Sequence, residues 1–196
     1  MVALGWTRGL DLAFTQALQP FASHPLDVIA NAHTYIGLVY VTVGAAFAAS
    51  IVLWARGRRG LAVAALGILA TGAIELVFKL GLQHPGPPEQ FVRAFEYLGP
   101  GYQTPSSFPS GHASRITFLA AFAALTTSAA IRWLATFAVI ATMLLRVYIG
   151  DHWISDVLGG AALGLFVAAG SLVAVRWLGA RLAQRAASKS SLARRK

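Results

Sequence analysis

His152 and Asp156 stand four residues apart, a spacing that puts both side chains on one face of a helix. A carboxylate so placed can accept a hydrogen bond from one ring nitrogen, fix the tautomer and leave the other nitrogen free to attack. A second histidine, His112, ends the segment Pro109-Ser110-Gly111-His112, which opens an apolar helical run. The free N–H groups and positive dipole end of such a helix start receive anions, and Gly111 lets the backbone approach closely. Lys79 and Arg146 can neutralise anionic oxygens, one as a point charge and the other through a two-pronged contact. Arg115 follows His112 by one turn. The chemistry within reach is phosphoryl transfer: attack by His152, then protonation of the leaving oxygen and activation of water by His112, in a cationic cradle. There is no cysteine, so a thiolate nucleophile, a disulfide frame and a thiolate metal site are excluded.

These residues are scattered along the chain and need elements to bring them to one level. The sequence is 57% hydrophobic and 12% charged, where soluble domains carry about 25% charged residues. Its uncharged runs are long enough to need a bilayer. Five spans are predicted, from about Val28 to Trp54, Leu61 to Leu82, Gly111 to Ala130, just after Arg132 to Ile149, and His152 to Leu178. Between Gln83 and Pro109 six prolines and three glycines force a loop, whose Phe91, Phe95, Tyr97, Tyr102 and Phe108 could cover a head group or hold its chain. Ahead of the spans, Trp6, Leu10, Phe14, Leu18 and Phe21 recur at helical spacing between polar residues. That pattern predicts an amphipathic helix lying in the interface, ended by Pro20 and Pro25. The expected fold is an all-α integral membrane bundle, one domain over residues 1–180, with a flexible basic tail over 181–196.

The net charge of +9 follows topology rather than nucleic-acid binding, because the basic residues sit beside apolar runs. Arg56, Arg58, Arg59, Arg132 and the segment from Arg176 to Lys196 hold 11 of the 16 basic residues and no acidic one. Placing them in the cytoplasm puts Lys79, His112, Arg146 and His152 near the opposite face, and the C-terminus inside. Trp54, Trp133 and Trp177 then fall at inner span ends and Trp6 and Trp153 at outer ones. An ionisable residue inside a span costs ~3 kcal/mol, so several at one level predict a shared polar pocket.

The motifs Pro-Ser-Gly-His at 109–112 and Arg-x5-His-x3-Asp at 146–156 resemble the second and third signatures of the type-2 phosphatidic acid phosphatase and vanadium haloperoxidase superfamily. The resemblance covers roughly residues 75–165. It implies a membrane lipid phosphatase with a helical-bundle fold, needing no metal or other cofactor. It also implies His152 as nucleophile, Asp156 as its orienter, His112 as general acid, and Lys79, Ser110, Gly111 and Arg146 as phosphate ligands. A polyprenyl pyrophosphate ranks slightly ahead of phosphatidic acid or phosphatidylglycerophosphate. A phosphotransferase using the same phosphohistidine, or an anionic-lipid transporter, is the alternative. Two positions depart from the family pattern: Gly86 stands where the first motif has Arg, and Leu145 where the third has Ser. Arg115 is a candidate to replace the lost Arg, or else a partner of a loop carboxylate such as Glu89 or Glu96.

Other polar residues have simpler expectations. Glu75 and Lys79, four apart, predict an ion pair, and Asp151 an N-cap for the last span. His24, His33 and His84 lack ligand-like spacing, although His84 could touch substrate. A metal held by His112, His152 and Asp156 is disfavoured by the cations around them.

Overall fold

The computed structural model describes residues 5–94 and 106–193. Phe95, Glu96, Tyr97 and Tyr102 lie outside that range. Among the described residues there are eight α-helices: α1 Arg8–Leu18, α2 His24–Thr34, α3 Val39–Ala55, α4 Arg59–Ala65, α5 Ile68–Gly81, α6 Gly111–Thr126, α7 Ala129–Tyr148 and α8 Ile154–Ala193. Every regular element is helical, as expected of a chain that must satisfy its own backbone in lipid.

Five spans were predicted; among the described residues three helices are long and apolar enough to cross a membrane, Arg59–Gly81, Ala129–Tyr148 and Ile154–Arg185. A fourth forms if the pair His24–Gly37 and Val39–Ala55, bent by 49°, counts as one. The remaining apolar segment is α6, with 16 residues. At ~1.5 Å per residue it reaches only about 24 Å, short of a ~30 Å hydrocarbon core. It does not need that length, because its first half is buried in protein by α8, α7 and α5 rather than by lipid.

Small residues make that burial close. A Cβ on Gly160 would run into the Ser110 carbonyl, and one on Gly164 into the Ser114 carbonyl. The Gly160-x3-Gly164 spacing therefore lets α8 lie directly on the start of α6, as small-residue pairs do between membrane helices. Phe118, Ala121 and Phe122 of α6 continue the contact into an apolar core with Ala46, Ile68, Ala168 and Leu172. Val77, Trp133, Phe137 and Phe166 point outward, where a bilayer would meet them.

Three expectations are corrected. The first span is broken, by a 3-10 turn at Tyr35–Gly37, and the reason lies in what its loosened carbonyls bind at the site. The N-terminal helix α1 does expose Trp6, Leu10 and Phe21, but its polar face is not toward water: Asp11 and Thr15 are buried. Asp11 accepts from both the backbone N–H (2.9 Å) and the hydroxyl (3.0 Å) of Ser155, so α1 caps the start of α8. Pro25 sits in the first turn of α2, where a missing N–H costs nothing, so it opens that helix rather than ending α1, which stops at Leu18. Into the segment expected as a basic tail, α8 continues to Ala193, where Ala, Arg and Leu residues favour helix. Trp54 and Trp177 each lie under an arginine, Arg59 and Arg181, at 5.4 Å and 4.3 Å from the ring centre.

Candidate active site

Four helix ends meet at one level: the C-terminal ends of α5 and α7 and the N-terminal ends of α6 and α8. Ser110 is the N-cap of α6, its hydroxyl accepting from Ala113 N–H at 3.4 Å. Its own N–H donates to the Asp156 carbonyl at 2.9 Å, which locks the start of α6 to the first turn of α8. A Cβ on Gly111 would collide with the Glu75 carboxylate, so glycine leaves that carboxylate room at the start of α6.

His152 lies in the turn between α7 and α8 and is buried; its Nδ1 is 3.4 Å from Asp156 Oδ2. The same oxygen accepts from Trp153 N–H at 2.9 Å, so Asp156, three residues into the helix, reaches back to cap it. Asp156 is fully buried. Burial pushes the His152 pKa below its ordinary value, against the opposing pull of Asp156, and so favours the neutral ring. With Nδ1 turned to the carboxylate, Nε2 is the nitrogen left for chemistry.

His112 comes from α6, and its Nε2 donates to the Thr34 carbonyl at 3.1 Å. Arg146, near the end of α7, donates from Nη1 to the Thr34 hydroxyl at 3.0 Å and pairs through Nη2 with Asp151. Arg115 donates to Glu75 at 2.9 Å and to the Gly37 carbonyl at 3.1 Å and 3.4 Å. The broken segment between α2 and α3 thus supplies the carbonyls that seat His112 and Arg115. Irregular backbone at membrane depth is tolerated where protein donors satisfy it. His112 also lies within electrostatic reach of Arg146, Arg115 and His152.

Glu75 and Lys79 pair as their spacing predicted, at 3.2 Å. Glu75 is also the partner of Arg115, in place of Glu89, which is exposed. An arginine buried among apolar helices needs a carboxylate within reach, and α5 offers one a helix diameter away. Arg115 is thus engaged by Glu75 and Gly37, while Gly86 lies beside Ser107 and Asp151. Arg115→Met should cost roughly 3–5 kcal/mol of stability, read as a lower melting temperature in detergent, and adding Glu75→Gln should recover part of it. An unchanged melting temperature would show that the pair holds nothing together.

Asp151 is not the N-cap of α8; it pairs with Arg146, and the capping falls to Asp156 and Asp11. Trp153, expected as an interfacial anchor, donates from its indole to the Pro85 carbonyl at 2.9 Å and ties the loop to α8. His33 meets the Thr142 hydroxyl at 2.8 Å. Thr34, Asp11 and the place of His84 beside Asp156 were not foreseen. None of the three left a signal in the spacing, because each meets its partner across the bundle.

The model of one family, the PAP2 superfamily, matches residues 60–180, more than half of the chain, including the four helix ends of α5, α6, α7 and α8 that meet at this site. The chain belongs to the PAP2 superfamily. Two solved PAP2-like folds resemble it over most of their length. Aquifex aeolicus LpxE superposes with a TM-score of 0.66 at 21% identity, over 83% of this chain and 94% of that one. The first transmembrane PAP2 type phosphatidylglycerolphosphate phosphatase from Bacillus subtilis superposes with a TM-score of 0.67 at 19% identity, over 89% of this chain and 87% of that one. No match was found among curated protein sequences. Within the PAP2 superfamily this chain carries Pro109-Ser110-Gly111-His112 and Arg146, His152 and Asp156, and lacks the first-motif Arg at Gly86. A Cβ there would meet only ordinary contacts, Ser107 Cβ at 3.6 Å and the Asp151 carbonyl at 3.8 Å, so crowding at that atom does not explain the glycine.

Proposed function

We propose that this PAP2 protein is a membrane lipid phosphatase that hydrolyses a lipid phosphate or pyrophosphate through a phosphohistidine on His152. The observation that carries the reading is the buried His152–Asp156 pair, set beside Arg146 and the N-terminus of α6 inside an apolar bundle. His152 Nε2 attacks phosphorus, and the bond to the leaving oxygen breaks as His112 protonates that oxygen. The leaving group is a lipid alcohol or, from a pyrophosphate, a lipid monophosphate. Water, deprotonated by His112, then attacks the phosphohistidine, the N–P bond breaks and inorganic phosphate departs. Lys79, Arg146 and the N–H groups of the Ser110-Gly111 start of α6 stabilise the charge on the phosphoryl oxygens.

A lipid substrate is supported by an apolar groove of about 350 Å³ between α5 and α8, lined by Ile74, Phe78, Phe108, Pro109, Leu163 and Phe166. Pro109 precedes Ser110, so a chain lying in the groove would bring its head group to the site. The basic connections lie at the helix ends opposite the site, around Arg56–Arg59, Arg132 and the end of α8. They support a site on the non-cytoplasmic face with the C-terminus inside.

The test is phosphate release in detergent, with a chelator present, from polyprenyl pyrophosphate, phosphatidic acid and phosphatidylglycerophosphate. Release from at least one is expected, with inhibition by vanadate, whose trigonal bipyramidal form mimics the transferring phosphoryl group. No release from any of them would overturn the proposal, and activity that needs a divalent cation would overturn its metal-free chemistry.

A further inference from the structure

Asp156 is approached from two sides. Oδ2 faces His152 Nδ1 at 3.4 Å and takes the Trp153 N–H at 2.9 Å. Oδ1 faces a different imidazole, His84 Nε2, at 3.3 Å. Among the described residues no hydrogen bond of good alignment reaches Oδ1, and the His84 contact is close without being linear. Catalytic contacts of this kind are often loose before substrate binds and tighten afterwards. A fully buried carboxylate with one oxygen unserved is costly, and among the described residues His84 Nε2 is the ring nitrogen that faces that oxygen. The three groups do not converge on a point that could hold a metal ion.

The loop holds His84 firmly in that position. Its carbonyl accepts from the Ser107 N–H at 2.7 Å and the Ser107 hydroxyl at 3.0 Å, joining the two ends of the loop. Its ring stands edge-on to Phe108, with centroids 6.4 Å apart. Trp153 fastens the following residue, Pro85, to the start of α8. The loop that lacks the first-motif Arg at Gly86 thus places an imidazole against the orienting carboxylate two residues earlier.

We infer that His84 is a positioning residue: its Nε2–H holds Oδ1 and stops the Asp156 carboxylate from turning, so that Oδ2 stays on His152 Nδ1. This rests on the phosphohistidine reading above. His84 touches neither substrate nor the reacting atoms, and acts only through Asp156.

Two variants of the full chain separate this from mere packing. His84→Phe keeps a ring against Phe108 and removes the donor. His84→Gln loses the ring and keeps an amide N–H at similar reach. With a lipid phosphate that the wild type turns over, His84→Phe is expected to lower kcat about tenfold, as loss of an outer partner of a reacting group does, with KM unchanged within about twofold. The rate of phosphoenzyme formation in a single turnover should fall by the same factor. His84→Gln should recover kcat to within about threefold of wild type. Equal kcat in His84→Phe and wild type, or a glutamine variant worse than the phenylalanine one, would overturn the assignment while leaving the phosphatase reading intact. A wild type that forms no phosphoenzyme and releases no phosphate would overturn both.

Discussion

Replacing His152 by alanine is expected to lower phosphate release by at least about a thousandfold, because among the described residues neither imidazole near it is placed to take over as the nucleophile. The ring is buried, kept neutral and aligned by Asp156, and both nearby alternatives are otherwise engaged. His112 spends its Nε2 on the Thr34 carbonyl, and His84 turns its Nε2 to Asp156. His152→Asn serves as a second variant, because its side chain amide can still meet Asp156 and keeps the site filled. Both variants should retain the wild-type melting temperature within a few degrees. Rapid acid-free quenching of the wild type with labelled substrate should trap phosphate on the protein as a phosphoramidate, stable to alkali and lost in acid. Turnover by either variant at the wild-type rate would remove His152 from the mechanism.

Gly37→Ala should be the most damaging change away from the reacting groups, with activity falling about a hundredfold, the cost of displacing a catalytic group by ~1 Å. A Cβ at Gly37 would land on the His112 ring, within 2.9 Å of its Cγ. The ring must then turn away, and the bond from its Nε2 to the Thr34 carbonyl is lost. Gly44→Ala is the matched control. Gly44 lies in the helix that follows, and a Cβ on it would meet nothing within 4 Å, so activity should be unchanged. Wild-type turnover in Gly37→Ala would mean that the placing of His112 is not what limits the reaction.

Much of the site was readable because its residues lie at helix ends and are close to one another in sequence. Helical spacing paired His152 with Asp156, although the helix itself begins only at Ile154 and His152 reaches the carboxylate from the turn before it. One short motif opening an apolar run marked Ser110, Gly111 and His112. Arg146 and Lys79 follow from the cost of putting charge in a span. Residues that reach the site across the bundle left no such mark. Arg115 was expected to meet a loop carboxylate such as Glu89 or Glu96, and nothing in spacing says that Glu75 is the one α5 brings alongside. Asp151 reads equally well as a helix cap or as an ion-pair partner, and only the fold of the turn after α7 gives it to Arg146.

Composition, run length and charge position were enough to determine a helical membrane bundle with its polar groups at one end, because lipid leaves the backbone few choices and keeps arginine at the rim. The break between α2 and α3 was beyond that reasoning. An apolar stretch reads as a continuous span, and whether its carbonyls stay in the helix or turn to outside donors depends on which helix packs against it. Here α6 brings His112 and Arg115 to Thr34 and Gly37, and their hydrogen bonds make the break tolerable. The same holds for Asp156, the residue that spacing alone paired with His152. Its second oxygen meets His84 across a long loop, a contact that exists only because α5, the loop and α8 fold onto one another.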